Sequence, residues 1–195
     1  MPEPLDLTGR YGEGWCVTVT RGEPLEALSG MEVDPAATRP APTLAAAAGL
    51  TWDSPGVLLV ARQIAGDVSL VLEVDGSTGW VGTRPDVLAV LSAGGGMACS
   101  ISKNPNREEL LHAVDAVLVT GLDPATFRRW GSDPERFSAA LAAAGFPGPD
   151  GEDGADEILR LSAAQRAVTA LGVLTGVELS ASMFDGPWIA GPSTR

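Results

Sequence analysis

Two apolar runs, residues 57–64 (VLLVARQI) and 68–75 (VSLVLEVD), are parted by only Ala65-Gly66-Asp67. A break this short with a central glycine predicts an antiparallel β-hairpin, because parallel strands need a long crossover. In the second run Leu70 and Leu72 fall on one side and Val71 on the other. That pattern predicts a strand covered on both faces, and therefore a central one.

Residues 15–21 (WCVTVTR) alternate Trp15, Val17 and Val19 against Cys16, Thr18 and Thr20, the period-two pattern of a strand with one apolar and one mixed face. This first strand is placed as a late addition to the sheet. Residues 97–103 (MACSISK) and 112–120 (HAVDAVLVT) continue the strand patterning. A short helix is predicted over 23–30, stopped by Gly30, and another opens with Thr83 as cap and Pro85 in its first turn, stopping at Gly94 to Gly96. Residues 131–145 predict a helix with Ser132 or Asp133 as cap and Gly145 as terminator. Ser162 and Gln165 form a capping box for a helix running through Thr175 and ended by Gly176. Pro35, Pro40, Pro42 and Pro55 mark residues 31–56 as a surface excursion in which Thr43 caps a brief helix through Gly49. Residues 177–191 read as a packed tail, since Phe184, Trp188 and Ile189 are costly to leave in solvent.

Strands without regular βαβ alternation predict an α+β fold, with a largely antiparallel sheet of about five strands, helices packed on it and a C-terminal helical segment. The organisation expected is a single domain over residues 1–195, with a flexible N-terminus (1–12), the Pro/Ala-rich excursion (31–56) and an acidic linker (147–157) before the C-terminal helix.

The formal net charge is -12, from 25 acidic and 13 basic residues. Such a field repels phosphate backbones and anionic lipid heads, so neither nucleic acid nor a membrane is expected as partner, and a cationic protein is favoured. Cys16 and Cys99 lie inside apolar strand runs without a second ligand at metal spacing and read as small buried hydrophobes. The acidic N-terminal MPEPLDL is unlike a secretory signal, and no apolar run reaches membrane-span length, which predicts a cytoplasmic location. No cofactor or metal is expected. The glycine run 94–96 follows a helix and precedes a strand, the reverse of phosphate-loop order, and the acidic run 150–157 lacks the register of a calcium loop.

The stretch CSISKNPNREELLHAVDAV holds the only lysine, Lys103, and the only histidine, His112. Asn104, Pro105 and Asn106 supply turn chemistry, after which REELL is read as one helical turn, leaving Lys103 and His112 flanking the connection. A catalytic reading makes His112 a base oriented by Asp115 or Glu109, with Lys103 steadying an anion, but no nucleophile accompanies them, and the loop reading is preferred. Glu73 and Asp75, two apart on a strand, point the same way and could hold a cation only with a third ligand. A buried Glu73 needs a donor, and Arg62 on the neighbouring strand is the expected ion-pair partner. The tryptophans at 15, 52, 80, 130 and 188 are spread over loop edges and strand ends, where large rings either pack or anchor a partner.

Two functions follow from these features. The first is a non-enzymatic intracellular interaction module with a protein partner, in a defence or toxin-immunity setting; no catalytic residue is assigned. The second is a small-molecule binder or enzyme whose site, at the end of the sheet, is built from Glu73, Trp80, Arg84, Lys103, Asn104 and His112.

The succession WCVTVTRG, DPAATRPAPTLAAAA, LVLEVDGSTGWVGTRPDVLAVLS, RRWGSDPERFSAALAAAGF and AVTALGVLTGVEL resembles an actinobacterial family catalogued as domain of unknown function 6461. The likeness rests most on Glu73 followed by Gly79, Trp80 and Gly82. It implies a small soluble actinobacterial protein and carries no activity, cofactor or catalytic residue.

Overall fold

The computed structural model describes residues 5–52, 56–74, 79–148 and 156–194. The predicted hairpin forms: β3 (Val57–Ala65) pairs antiparallel with β4 (Val68–Glu73), and Gly66, at φ 47°, supplies the torsion of the turn. All of β4 is buried, as its two-sided apolar pattern requires. Its other neighbour is β1 (Trp15–Arg21), which is central, not a late addition: β1 lies between β4 and β5 (Met97–Asn104), and six of its seven residues are buried.

From β5 the chain meanders through β6 (Arg107–Val114) and β7 (Val117–Leu122) to a short edge strand, β8 (Arg129–Trp130). On the far side β3 pairs with β9 (Trp188–Ser193), which pairs with the other edge, β2 (Arg39–Ala41). Among the described residues the sheet has nine strands, all paired antiparallel, in the order β2-β9-β3-β4-β1-β5-β6-β7-β8.

The α+β class and antiparallel pairing are as expected, but about five strands is an undercount with identifiable causes. The stretch HAVDAVLVT contains a tight turn at Asp115 and Ala116, both at positive φ (47° and 65°), a geometry usually advertised by Asn-Gly or Asp-Gly. REELL begins β6 and is no helical turn. The excursion contributes β2, where Pro40 is tolerated because the strand is an edge. The packed tail contributes β9, which enters the sheet beside β3.

Helices cover both faces. On one face α6 (Ala163–Thr175) lies over β5 and β6, with α5 (Ser138–Ala143) and α1 (Leu7–Tyr11) beside it. The Ser162–Gln165 capping box forms, and Gly176 at φ 72° ends α6. Its buried stripe, including Val168, Leu171 and Leu174, meets Val17, Leu72, Ile101 and Leu110; full burial of Leu171 contributes about 2 kcal/mol. The 131–145 helix is shorter than predicted, starting only after Phe137. Residues 7–11, in the stretch expected to be flexible, form α1, with Leu7 buried and Asp6 capping through Gly9 N–H.

On the opposite face α2 (Pro24–Gly30) and α4 (Pro85–Leu91) cover Leu59, Ala61 and Val71, and Ala98, Leu111 and Ala113. Arg84, not Thr83, is the residue preceding α4. The brief helix α3 (Leu44–Ala48) is capped by Thr43 as predicted. Asp75 and residues 149–155 of the acidic linker lie outside the described residues.

Candidate functional site

The residues richest in chemistry start from Glu73, the last residue of β4 and 1% exposed. It shares a sheet face with its β1 neighbour Cys16, and a short 3-10 turn, Val81–Thr83, lies over that face. One carboxylate oxygen accepts from Val81 N–H and the other from Gly82 N–H, both at 2.8 Å. Arg62, the expected partner, is on the other face: it pairs in register with Leu70 and donates to the carbonyl of Asp185. Glu73 is therefore held by backbone, not by a guanidinium. Burial pushes its pKa up, opposed by the Gly82 and Val81 N–H groups and the Cys16 thiol. Burial, with Glu73 alongside, also pushes the Cys16 thiol well up, so it is an inert SH group.

Gly82 is where the turn touches the sheet. A Cβ there would sit 2.2 Å from Thr18 Oγ1, 3.0 Å from Glu73 Oε1 and 3.2 Å from Cys16 Sγ. Thr18 in turn hydrogen-bonds Ser100 on β5 at 2.7 Å. The pattern Glu73…Trp80-Val81-Gly82 thus encodes a carboxylate capping a turn whose backbone lies against a floor of small side chains. Trp80 is buried, near Gly14, and Trp15 and Trp188 are buried too, so these three rings pack inward.

Arg84 leaves the turn and is spanned by two carboxylates. It donates to Glu32 Oε2 at 2.9 Å and, through Nε and Nη2, to Asp86. Those bonds raise its pKa. The guanidinium is engaged before any ligand arrives.

Lys103 stands in register with Trp15, not Cys16, and so faces away from Glu73. It is paired with Glu108 and, at 3.2 Å, with Glu13. Burial alone would lower its pKa, but the two carboxylates outweigh it and hold the ammonium charged. Asn104 accepts from Asn106 N–H at 2.9 Å, closing the tight β5–β6 turn that its sequence signalled.

His112 does not flank that turn. It sits deep in β6, 2% exposed, opposite Cys99 and Thr120, with Phe137 edge-on at 4.9 Å. Four residues of strand separate it from the Lys103–Glu108 pair, about 13 Å at the usual rise. Among the described residues neither ring nitrogen has a hydrogen-bond partner, and burial together with the charge of Arg136 lowers its pKa to about 4. Glu109 points to the opposite face of β6 and pairs with Arg107, and Asp115 accepts from Gly95 N–H, so neither carboxylate orients the imidazole as the catalytic reading required. The structure therefore joins Glu73 with Trp80 and the start of α4, joins Lys103 with Asn104, and leaves His112 apart.

Sequence reasoning overlooked the buried polar row Thr18, Thr20, Ser69, Ser100 and Ser102 beside Glu73. The signal was present: CVTVT and CSIS place small polar residues at every second position, a floor on which another backbone can lie. Among the described residues no group of three or more His, Cys, Asp or Glu is arranged to hold a metal ion, and no helix is long and apolar enough to cross a membrane.

Neither a curated protein nor a solved structure matches the chain. A family profile does: the one described as a family of unknown function (DUF6461) matches residues 4–187. That match spans the Glu73–Gly82 turn and both helical layers, and the chain belongs to this family of unknown function.

Proposed function

We propose that the protein is a non-enzymatic, cytoplasmic interaction module that engages a cationic protein partner. The observation carrying this reading is the excess of acidic over basic side chains. Acids outnumber bases 25 to 13, a formal net charge of -12. Arg10, Arg39, Arg62, Arg128, Arg136 and Arg166 each stack on an aromatic ring of the chain. A guanidinium over a ring keeps its charge, and Arg10, Arg39, Arg128 and Arg136 remain exposed, so the outward field is negative because carboxylates outnumber the bases and not because the arginines are hidden. A cationic toxin is one partner of this chemistry, which keeps a defence setting within the proposal. Two free, buried thiols suit a reducing compartment.

The small-molecule alternative has less support. Glu73, Trp80, Arg84, Lys103, Asn104 and His112 are divided between the two faces of the sheet, and the charged ones have partners within the protein. The deciding experiment immobilises the full chain and exposes it to an extract of the source cells. The expected result is a basic protein retained at low salt and released toward roughly 1 M salt, where the screening length falls to about 3 Å. Retention of no protein, together with a saturable thermal shift produced by a metabolite, overturns the reading.

A further inference from the structure

Among the described residues the exposed large hydrophobic side chains are Leu25, Val90, Val117 and Leu159, and two of them share one place. Leu25 on α2 (44% exposed) and Val90 on α4 (61% exposed) line a shallow groove of about 500 Å³, with Ser29, Gly30 and Pro35. Gly30 sets its shape. A Cβ there would meet Leu91 Cδ2 at 2.8 Å and Val90 Cγ1 at 3.4 Å, so a larger residue would make those side chains of α4 shift.

The rim is acidic. Glu26 borders the groove, Glu23 starts α2 and Asp34 precedes Pro35. Among the described residues no lysine or arginine pairs with these three. Arg21, in the adjoining hollow that shares Glu26, Gly30 and Val90, is already engaged by Asp67.

We propose that the groove between α2 and α4 is the docking site for a basic amphipathic helix of another protein; this rests on the interaction-module reading and names its surface. Leu25 and Ser29, four apart on α2, present one helical ridge, and Val90 presents the facing one, the relief into which an apolar stripe at i, i+3 and i+7 fits. Each helix has seven residues, about 10 Å, which matches two turns of an incoming helix. Lys and Arg flanking that stripe would meet Glu23, Glu26 and Asp34. A second copy of the chain is disfavoured, because it would bring the same acidic rim and another net charge of -12. Strand addition is disfavoured too: one sheet edge carries Pro40 and the other is the two-residue β8.

The test uses the full chain and a labelled synthetic helix with Leu at i, i+3 and i+7 and Lys elsewhere. Controls replace every Lys by Glu, or every Leu by Ser. Fluorescence anisotropy is expected to show saturable binding of the Leu/Lys helix and at least tenfold weaker binding of both controls. The exposed double variant Leu25→Ser/Val90→Ser is expected to lose at least tenfold. Glu26→Gln with Asp34→Asn, which keeps both capping groups, is expected to lose about threefold at low salt and nothing at high salt. Hydrogen exchange should slow on α2 and α4.

Equal binding of the Ser/Lys peptide, or no effect of Leu25→Ser/Val90→Ser, overturns the proposal, as does self-association of the chain with protection on α2 and α4. A natural partner retained equally by the native and Leu25→Ser/Val90→Ser chains removes the groove but leaves the module reading standing. Retention of no protein by either chain fails the module reading itself and the groove with it.

Discussion

The two faces of the central sheet each bury an ionisable side chain, and they handle the cost differently. Glu73, facing α2, α4 and the Val81–Thr83 turn, receives two backbone N–H groups. His112, facing α5 and α6, receives no hydrogen bond among the described residues and lies under Phe137. The difference lies in what can approach. Thr18, Cys16 and Ser100 are small enough for the backbone of Gly82 to rest on the sheet and bring donors to a carboxylate. Around His112 the neighbours are Cys99, Thr120 and the Phe137 ring, and among the described residues no donor reaches the imidazole, whose pKa of about 4 leaves it neutral at pH 7. At these two positions the room left for main chain decides whether the buried group receives donors.

The sharpest way to break this comparison is Glu73→Ala, which leaves two buried N–H groups unsatisfied and opens a cavity. It is expected to cost about 4 kcal/mol in urea unfolding, against a small change if the turn relaxes onto water. Next is pH. His112 has a folded pKa of about 4 against 6.5 for the free group, so its contribution is present above pH 6.5 and lost as pH falls through 4. Stability is expected to drop by about 3 kcal/mol across that window, and His112→Leu should flatten this component. Glu73 runs the other way: its raised pKa makes its contribution full in acid and lost as pH rises through the folded value. Opposite slopes in the two single variants would sharpen the contrast, whereas a shared slope would dissolve it.

Gly82→Ala tests the floor itself. Its Cβ would press on Thr18 and Glu73, and calorimetry is expected to show a loss of about 2 kcal/mol. The smallest effect is expected at Arg84→Leu, outside the polar floor. Its pair with Glu32 is partly exposed, 30% and 26% for the two side chains, and the loss should be about 0.5 kcal/mol by thermal melt. A loss several times larger at Arg84 would mean that the turn, and not the carboxylate cap, carries this face.

Local rules were legible where a residue acts on its immediate neighbours. The β3–β4 hairpin, the Ser162–Gln165 box, the Thr43 cap and the Asn104 turn are short-range chemistry, and each was readable without a fold. So was the central place of β4, because apolar residues on both parities leave a strand no solvent face. The turn at Asp115 and Ala116 was not legible, since the register of the surrounding ladder holds Ala116 at positive φ where its own preference would not.

Amino-acid order by itself determined the α+β class, the antiparallel pairing, the acidic character and the burial of Cys16 and Cys99. Tertiary structure alone decided that β1 and β9 insert among strands distant in sequence, that Glu73 takes its donors from Val81 and Gly82 and not from Arg62, and that Lys103 and His112 never meet. The physical reason is that strand patterning specifies which faces a segment must bury but not its neighbour, and the neighbour sets what each polar atom can reach.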